Sequence, residues 1–174
     1  MTDDERRRAF AVAFIAQARS DWRVYRILAE RDEVLSCHRL HYLQMVCEKL
    51  AKAYRLRDTK SPIDELVAKH AGFSKFIGPF FAALKDEYTG KDQQLRGLIQ
   101  RARTPAREIE KLAPAIDRAA SPENAEYPWE RDGAVTAPCD FGFPSLQFLT
   151  LPGGRAFLNL VERALDDFEK VALP

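Results

Sequence analysis

Neither glycine nor proline occurs in the first 61 residues of this 174-residue chain, and the first glycine is Gly72. Nothing in the first third therefore interrupts a helix. Cysteine is scarce: Cys37, Cys47 and Cys139 are an odd number with no C-x-x-C pair, which excludes a disulfide framework and a spaced zinc-finger set. They read as reduced thiols, and the expected location is cytoplasmic. No run approaches the roughly 20 apolar residues that cross a bilayer, so no membrane association is expected. Charge of one sign is also missing, since Lys plus Arg is 27 against 26 for Asp plus Glu. That balance argues against a main affinity for bulk nucleic acid or anionic lipid, while leaving room for a local basic patch. The phosphate loops GxGxxG and GxxxxGK[ST] and the catalytic patterns HExxH and GxSxG are absent, and no cofactor is expected.

What is present is a chain with 46% hydrophobic and 30% charged residues, too apolar for disorder and of the length of one ordinary domain. Residues 1–174 are read as a single helical domain. Arg6-Arg7-Arg8 before the short apolar run Ala9 to Ala16 has the outline of a signal peptide, but Asp3, Asp4 and Glu5 place acid where such a segment wants base. Thr2 and Glu5 make the capping pattern T-x-x-E, so a first helix is the better reading.

That helix is expected from Asp3 to Ala29, with Phe10, Phe14, Ala18, Trp22 and Tyr25 forming one apolar stripe. A second is expected from Ser36 to Tyr54, where Leu40, Leu43, Cys47, Leu50 and Tyr54 step by three and four. The short link favours an antiparallel pair. Ser61-Pro62 opens a short helix to His70 that stops at Gly72; Ser74 to Tyr88 forms another, with Pro79 in its first turns or at a bend. Lys91 to Arg103 is helical, Thr104-Pro105 reads as a new start, and Pro105 to Ala119 continues with a bend at Pro114. Residues 120–152 carry Pro122, Pro128, Pro138, Pro144 and Pro152 among Tyr127, Trp129, Phe141 and Phe143, the pattern of an extended segment that wraps the helices. A last helix occupies 153–174, with Phe157, Leu158, Val161, Leu165 and Phe168 inward. The fold class is all-α: an up-and-down bundle of about five helices with an extended Pro/aromatic segment before the last.

Residues able to carry chemistry are few. Cys37, His38 and His41 share one end of the second helix at metal-ligand spacing, but no second spaced pair exists, so no metal is expected. Glu48 and Lys52 are an i, i+4 pair that serves either helix solubility or a polar cluster at the mouth of the bundle. Six basic residues against two acids lie between Arg39 and Lys60, and seven against four between Lys91 and Arg118. In the second stretch Arg101, Arg103 and Arg107 suit phosphate contact, although charge runs are most often solvated faces. Gly153-Gly154 at a helix start is better explained as a turn than as an anion site.

The run His41-Tyr42-Leu43-Gln44-Met45-Val46-Cys47-Glu48-Lys49-Leu50-Ala51-Lys52-Ala53-Tyr54 resembles the second helix of the HEPN (higher eukaryotes and prokaryotes nucleotide-binding) family, with its apolar-Gln-x-x-x-Glu-Lys-x-x-Lys-Ala pattern. Ala18, Asp21 and Leu28 on the first helix, Lys69-His70 before an apolar helix, and Asn124-Ala125-Glu126-Tyr127-Pro128-Trp129 are similar to further family features. The resemblance loosely covers residues 7–130. It implies a helical bundle, a homodimer, and a role in toxin–antitoxin or phage-defence systems as a ribonuclease, as a nucleotide or RNA binder, or as partner of a nucleotidyltransferase. The family's Arg-x4–6-His ribonuclease motif is out of place: no arginine lies four to six residues before His70, and the one spacing match, Arg31 with His38, precedes the second helix. The resemblance therefore implies the fold and a non-catalytic nucleotide-, RNA- or protein-binding module. The alternatives are a ribonuclease with an atypical site drawn from Arg31, His38, His41 and His70, and a purely structural interaction protein.

Overall fold

The computed structural model describes residues 1–68, 73–83, 89–114, 119 and 121–172. Helix α1 (Asp3–Ala29) opens with the expected capping box: the Thr2 hydroxyl accepts from the Glu5 N–H at 3.2 Å, and Glu5 Oε2 accepts from the Thr2 N–H at 2.6 Å. Helix α2 (Ser36–Arg55) lies antiparallel to it, since Lys52 reaches Phe14 and Lys49 reaches Asp21. The seam Leu40, Leu43, Cys47, Leu50 and Tyr54 is buried as its spacing requires.

The α1 stripe holds at Ala18 and Tyr25 and is shifted by one position at the other three. Its buried ridge is Arg7, Ala11, Ile15, Ala18, Asp21 and Tyr25, while Phe10, Phe14 and Trp22 flank it half-buried. Small side chains at positions 11 and 18 let α2 approach, and the large rings are displaced to the edges of the contact. Arg7 belongs to the ridge because its guanidinium donates to the carbonyls of Asp58 (2.8 Å) and Ser61 (2.5 Å), pinning the turn after α2.

Helices α3 (Ile63–Ala68), α4 (Phe73–Ala83) and α5 (Asp92–Glu110) follow. The expected ends of two helices, at His70 and at Tyr88, lie outside the described residues, as do Gly72 and most of 115–120. Thr104-Pro105 does not start a new helix: α5 runs through it. Proline in a helix removes one N–H and leaves the carbonyl four residues back without its donor; here that is the carbonyl of exposed Arg101, which water can reach. α5 ends at Glu110, before Pro114.

The segment before the last helix is more structured than an extended wrap. Strands β1 (Trp129–Arg131) and β2 (Ala134–Thr136) pair antiparallel, Glu130 opposite Val135. Asp132 (φ 52°) and Gly133 (φ 76°) make the turn, the left-handed pair that a two-residue hairpin needs. Two 3-10 helices follow, Pro138–Asp140 and Pro144–Thr150. Trp129, Phe141 and Phe143 pack edge to face or tilted at 5.0–6.4 Å, as the aromatic content suggested. Helix α6 (Pro152–Asp166) starts one residue early, at the proline, and α7 (Phe168–Ala172) is split from it at Asp167.

The core centres on Tyr54. Phe76, Phe80 and Phe168 meet its ring edge-on at 5.0–5.6 Å, and its hydroxyl donates to the Ala164 carbonyl at 2.8 Å. Arg19 closes the far side, donating to the Leu165 carbonyl and, with two nitrogens, to Glu169 at 2.6 and 2.7 Å. The architecture is thus an α-helical bundle with a two-stranded ribbon. No helix among the described residues is long and apolar enough to cross a membrane.

Candidate binding groove and the residues around it

Helices α5 and α6 diverge enough to leave an apolar groove of about 780 Å³. Its floor is Phe81, Ala102 and Phe157, all buried. Its walls are Leu98 and Pro105 from α5, Phe148 from the second 3-10 helix, and Leu151 and Leu160 from the start and middle of α6. Leu151 is 58% exposed, large for a leucine in a packed helical chain. Charge is confined to the rim: Arg101 and Glu108 on one side, Arg163 on the other. Arg163 Nε is 3.1 Å from Asp167 Oδ2 and Glu108 is paired with Lys111. Arg101 donates through Nε to the Gly97 carbonyl at 3.1 Å and has no carboxylate partner among the described residues.

Elsewhere on α5, Arg96, Arg103 and Arg107 recur at seven and four residues and so share one exposed face. None has an ion-pair partner among the described residues. Of the binding candidates read from the sequence, Arg101 is thus at the groove, while Arg103 and Arg107 lie about 160° and 120° away around α5, on another face.

Glu48 and Lys52 are elsewhere and are occupied. Lys52 is 8% exposed, its ammonium 3.0 Å from Glu48 Oε1 and 5.4 Å from the centre of the Phe14 ring. Gln44 donates to the other Glu48 oxygen at 3.1 Å, and next to them Lys49 Nζ meets Asp21 at 2.5 Å, with Gln17 on the second Asp21 oxygen at 3.0 Å. The Gln-x-x-x-Glu-Lys-x-x-Lys pattern is therefore the polar filling of the α1–α2 interface and not the mouth of a cavity.

The remaining candidates do not converge. Cys37 is buried, His38 is exposed, and His41 Nδ1 is buried 3.5 Å from Glu126 Oε1 without hydrogen-bond geometry. No three His, Cys, Asp or Glu side chains among the described residues come together to hold a metal ion. Arg31 is exposed and stands 3.9 Å from Glu33. None of Arg31, His38 and His41 lines the groove. His70 lies outside the described residues.

The cysteines differ sharply in burial. Burial pushes the Cys47 thiol well above its ordinary range and raises that of Cys37, whereas Cys139 is exposed on the first 3-10 helix. A thiol reagent at neutral pH is expected to modify Cys139 alone in the folded protein and all three in denaturant. Rapid native modification of a second cysteine would contradict this burial.

No protein-family model, curated protein or solved structure matches the chain.

Proposed function

We propose that this is a HEPN-like, non-catalytic binding module of a toxin–antitoxin or defence system, and that it takes an acidic amphipathic helix of a partner protein in the α5–α6 groove. The observation that supports this is the groove itself: a long apolar floor flanked by charge at the rim is the receptor side of helix-in-groove recognition. Arg101, which has no carboxylate partner among the described residues, complements acidic residues on the polar face of such a helix. A second reading, RNA contact through Arg96, Arg103 and Arg107, is favoured by their shared face but leaves the apolar floor unexplained. The atypical ribonuclease reading would need Arg31 and His38 at one scissile phosphate, and neither stands in a cleft described above.

The test uses two designed amphipathic peptides with one apolar face and opposite polar-face charge, titrated calorimetrically. The acidic peptide is expected to bind at least tenfold more tightly. Ala156→Trp, which puts a ring into the groove from an exposed position, is expected to abolish binding, and Arg101→Glu to reverse the charge preference. Failure of both peptides to bind sinks the proposal. So does tight binding of a labelled RNA that ignores Ala156→Trp but is lost in Arg103→Glu/Arg107→Glu. A concentration-dependent homodimer that Ala156→Trp breaks would place a second copy in the groove instead, and would also count against it.

A further inference from the structure

On the other side of α6 from the groove a separate cavity of about 370 Å³ lies between the end of α1, the start of α2 and the second 3-10 helix. Its walls are largely apolar: Ala29, Leu40, Phe143, Leu146, Leu149 and Leu158. No acidic residue lines it; its polar lining residues are Tyr25, Ser36, Arg39, Gln147 and Thr150, and the first three can donate to an anion.

Three of these donors are independent of one another. Arg39 is half-buried in the lining, and no carboxylate stands within ion-pair distance of it among the described residues. Helix α2 begins beside it at Ser36 with Leu35 in the capping position: no side chain caps the first N–H groups, and the first turn carries no acid. The positive end of this 20-residue helix therefore has no capping side chain at Leu35 and no acid in its first turn. The third is Tyr25, which is 8% exposed, lines the cavity, and has a hydroxyl without a hydrogen-bond partner among the described residues. Burial raises the Tyr25 phenol to about 12, with Cys47 adding to the rise and the Arg39 guanidinium pulling the other way.

We infer that this cavity is a binding site for a small monoanionic amphiphile, a carboxylate with an apolar tail of about eight carbons. The carboxylate would accept from Arg39, the Tyr25 hydroxyl and the α2 N-terminus, and the tail would lie against Leu146, Leu149 and Leu158. One guanidinium and one helix end balance a single negative charge, which favours a carboxylate over a phosphate dianion.

Octanoate is the probe, with octanol and octyl phosphate as controls, measured by calorimetry and by the emission of Trp22, which stacks on Tyr25 at 5.1 Å. Octanoate is expected to bind at one site, at least tenfold more tightly than octanol. Arg39→Gln is expected to remove that advantage and Arg39→Lys to restore part of it. Gly142→Leu is expected to abolish binding by filling the cavity, and it is sterically permissible because a Cβ there meets nothing within 4 Å. Ala156→Trp, in the α5–α6 groove, is expected to leave octanoate binding unchanged, which separates this site from the proposed peptide site. Thermal melting checks that each variant folds. Absence of octanoate binding overturns the inference, as does binding indifferent to both Arg39→Gln and Gly142→Leu. Octyl phosphate binding tenfold better than octanoate overturns the carboxylate assignment.

Discussion

Gly154→Ala is expected to destabilise the protein by about 3 kcal/mol or more, lowering its melting temperature by about 6–12 °C. A Cβ built at this buried position lies 2.2 Å from the Phe148 carbonyl oxygen and 2.4 Å from Leu149 Cα. Both are main-chain atoms, so no rotamer change relieves the overlap; the 3-10 helix 144–150 would have to lift away from α6. That movement would open the groove wall at Phe148 and the cavity wall at Leu149 together. The adjacent Gly153 is the control. A Cβ there meets nothing within 4 Å, and alanine in a helix is better than glycine by roughly 0.5–1 kcal/mol, so Gly153→Ala is expected to be neutral or mildly stabilising. Equal melting temperatures for the two variants would show that the close approach at position 154 does not exist in solution.

The glycine pair illustrates how far the sequence carries. Its position at a helix start was readable; that one of the two is sterically obligatory was not, because the clashing atoms belong to a segment whose path only the tertiary structure defines. The long helices were legible because they are local. T-x-x-E capped α1, the three-four spacing of Leu40 to Tyr54 gave the face of α2, and the absence of glycine and proline let both run. Pro105 misled because its neighbours Arg103, Ala106 and Arg107 all favour helix, and the exposed turn tolerates the missing N–H. The hairpin at residues 129–136 carried a readable signal, Asp132-Gly133, that the surrounding prolines obscured.

The two candidate ligand sites were less visible than the fold. Leu98, Leu151 and Leu160 each fit an ordinary core-facing position, and only the spacing between α5 and α6 turns them into walls. Arg39 reads in the sequence as one of a run of basic residues, but its lack of a carboxylate partner among the described residues is a tertiary fact. The reverse holds for Glu48 and Lys52. Their spacing invited a functional reading, and the structure gives each a partner inside the α1–α2 contact.

Asp21→Ala tests whether that polar interface is structural. Asp21 is 6% exposed, and it is the anion that Lys49 meets at 2.5 Å from a side chain itself only 15% exposed. Removing the carboxylate leaves a nearly buried ammonium with no counter-charge and strips Gln17 of its acceptor. Breaking a buried pair in this way costs about 3–5 kcal/mol, so Asp21→Ala is expected to rank with Gly154→Ala in chemical denaturation. Replacing both partners, Asp21→Leu with Lys49→Met, removes the stranded charge along with the pair and is expected to return stability to within about 1–2 kcal/mol of the parent. The comparison of single and double variants matters more than either alone. A structural interface gives a large single loss and a strong recovery. A ligand site holding charges at the expense of stability gives the opposite, a single variant as stable as the parent or more so. Should Asp21→Ala raise the melting temperature, the Gln44–Glu48–Lys52 stripe would have to be reconsidered as a binding surface, and the α5–α6 groove would lose its place as the leading candidate.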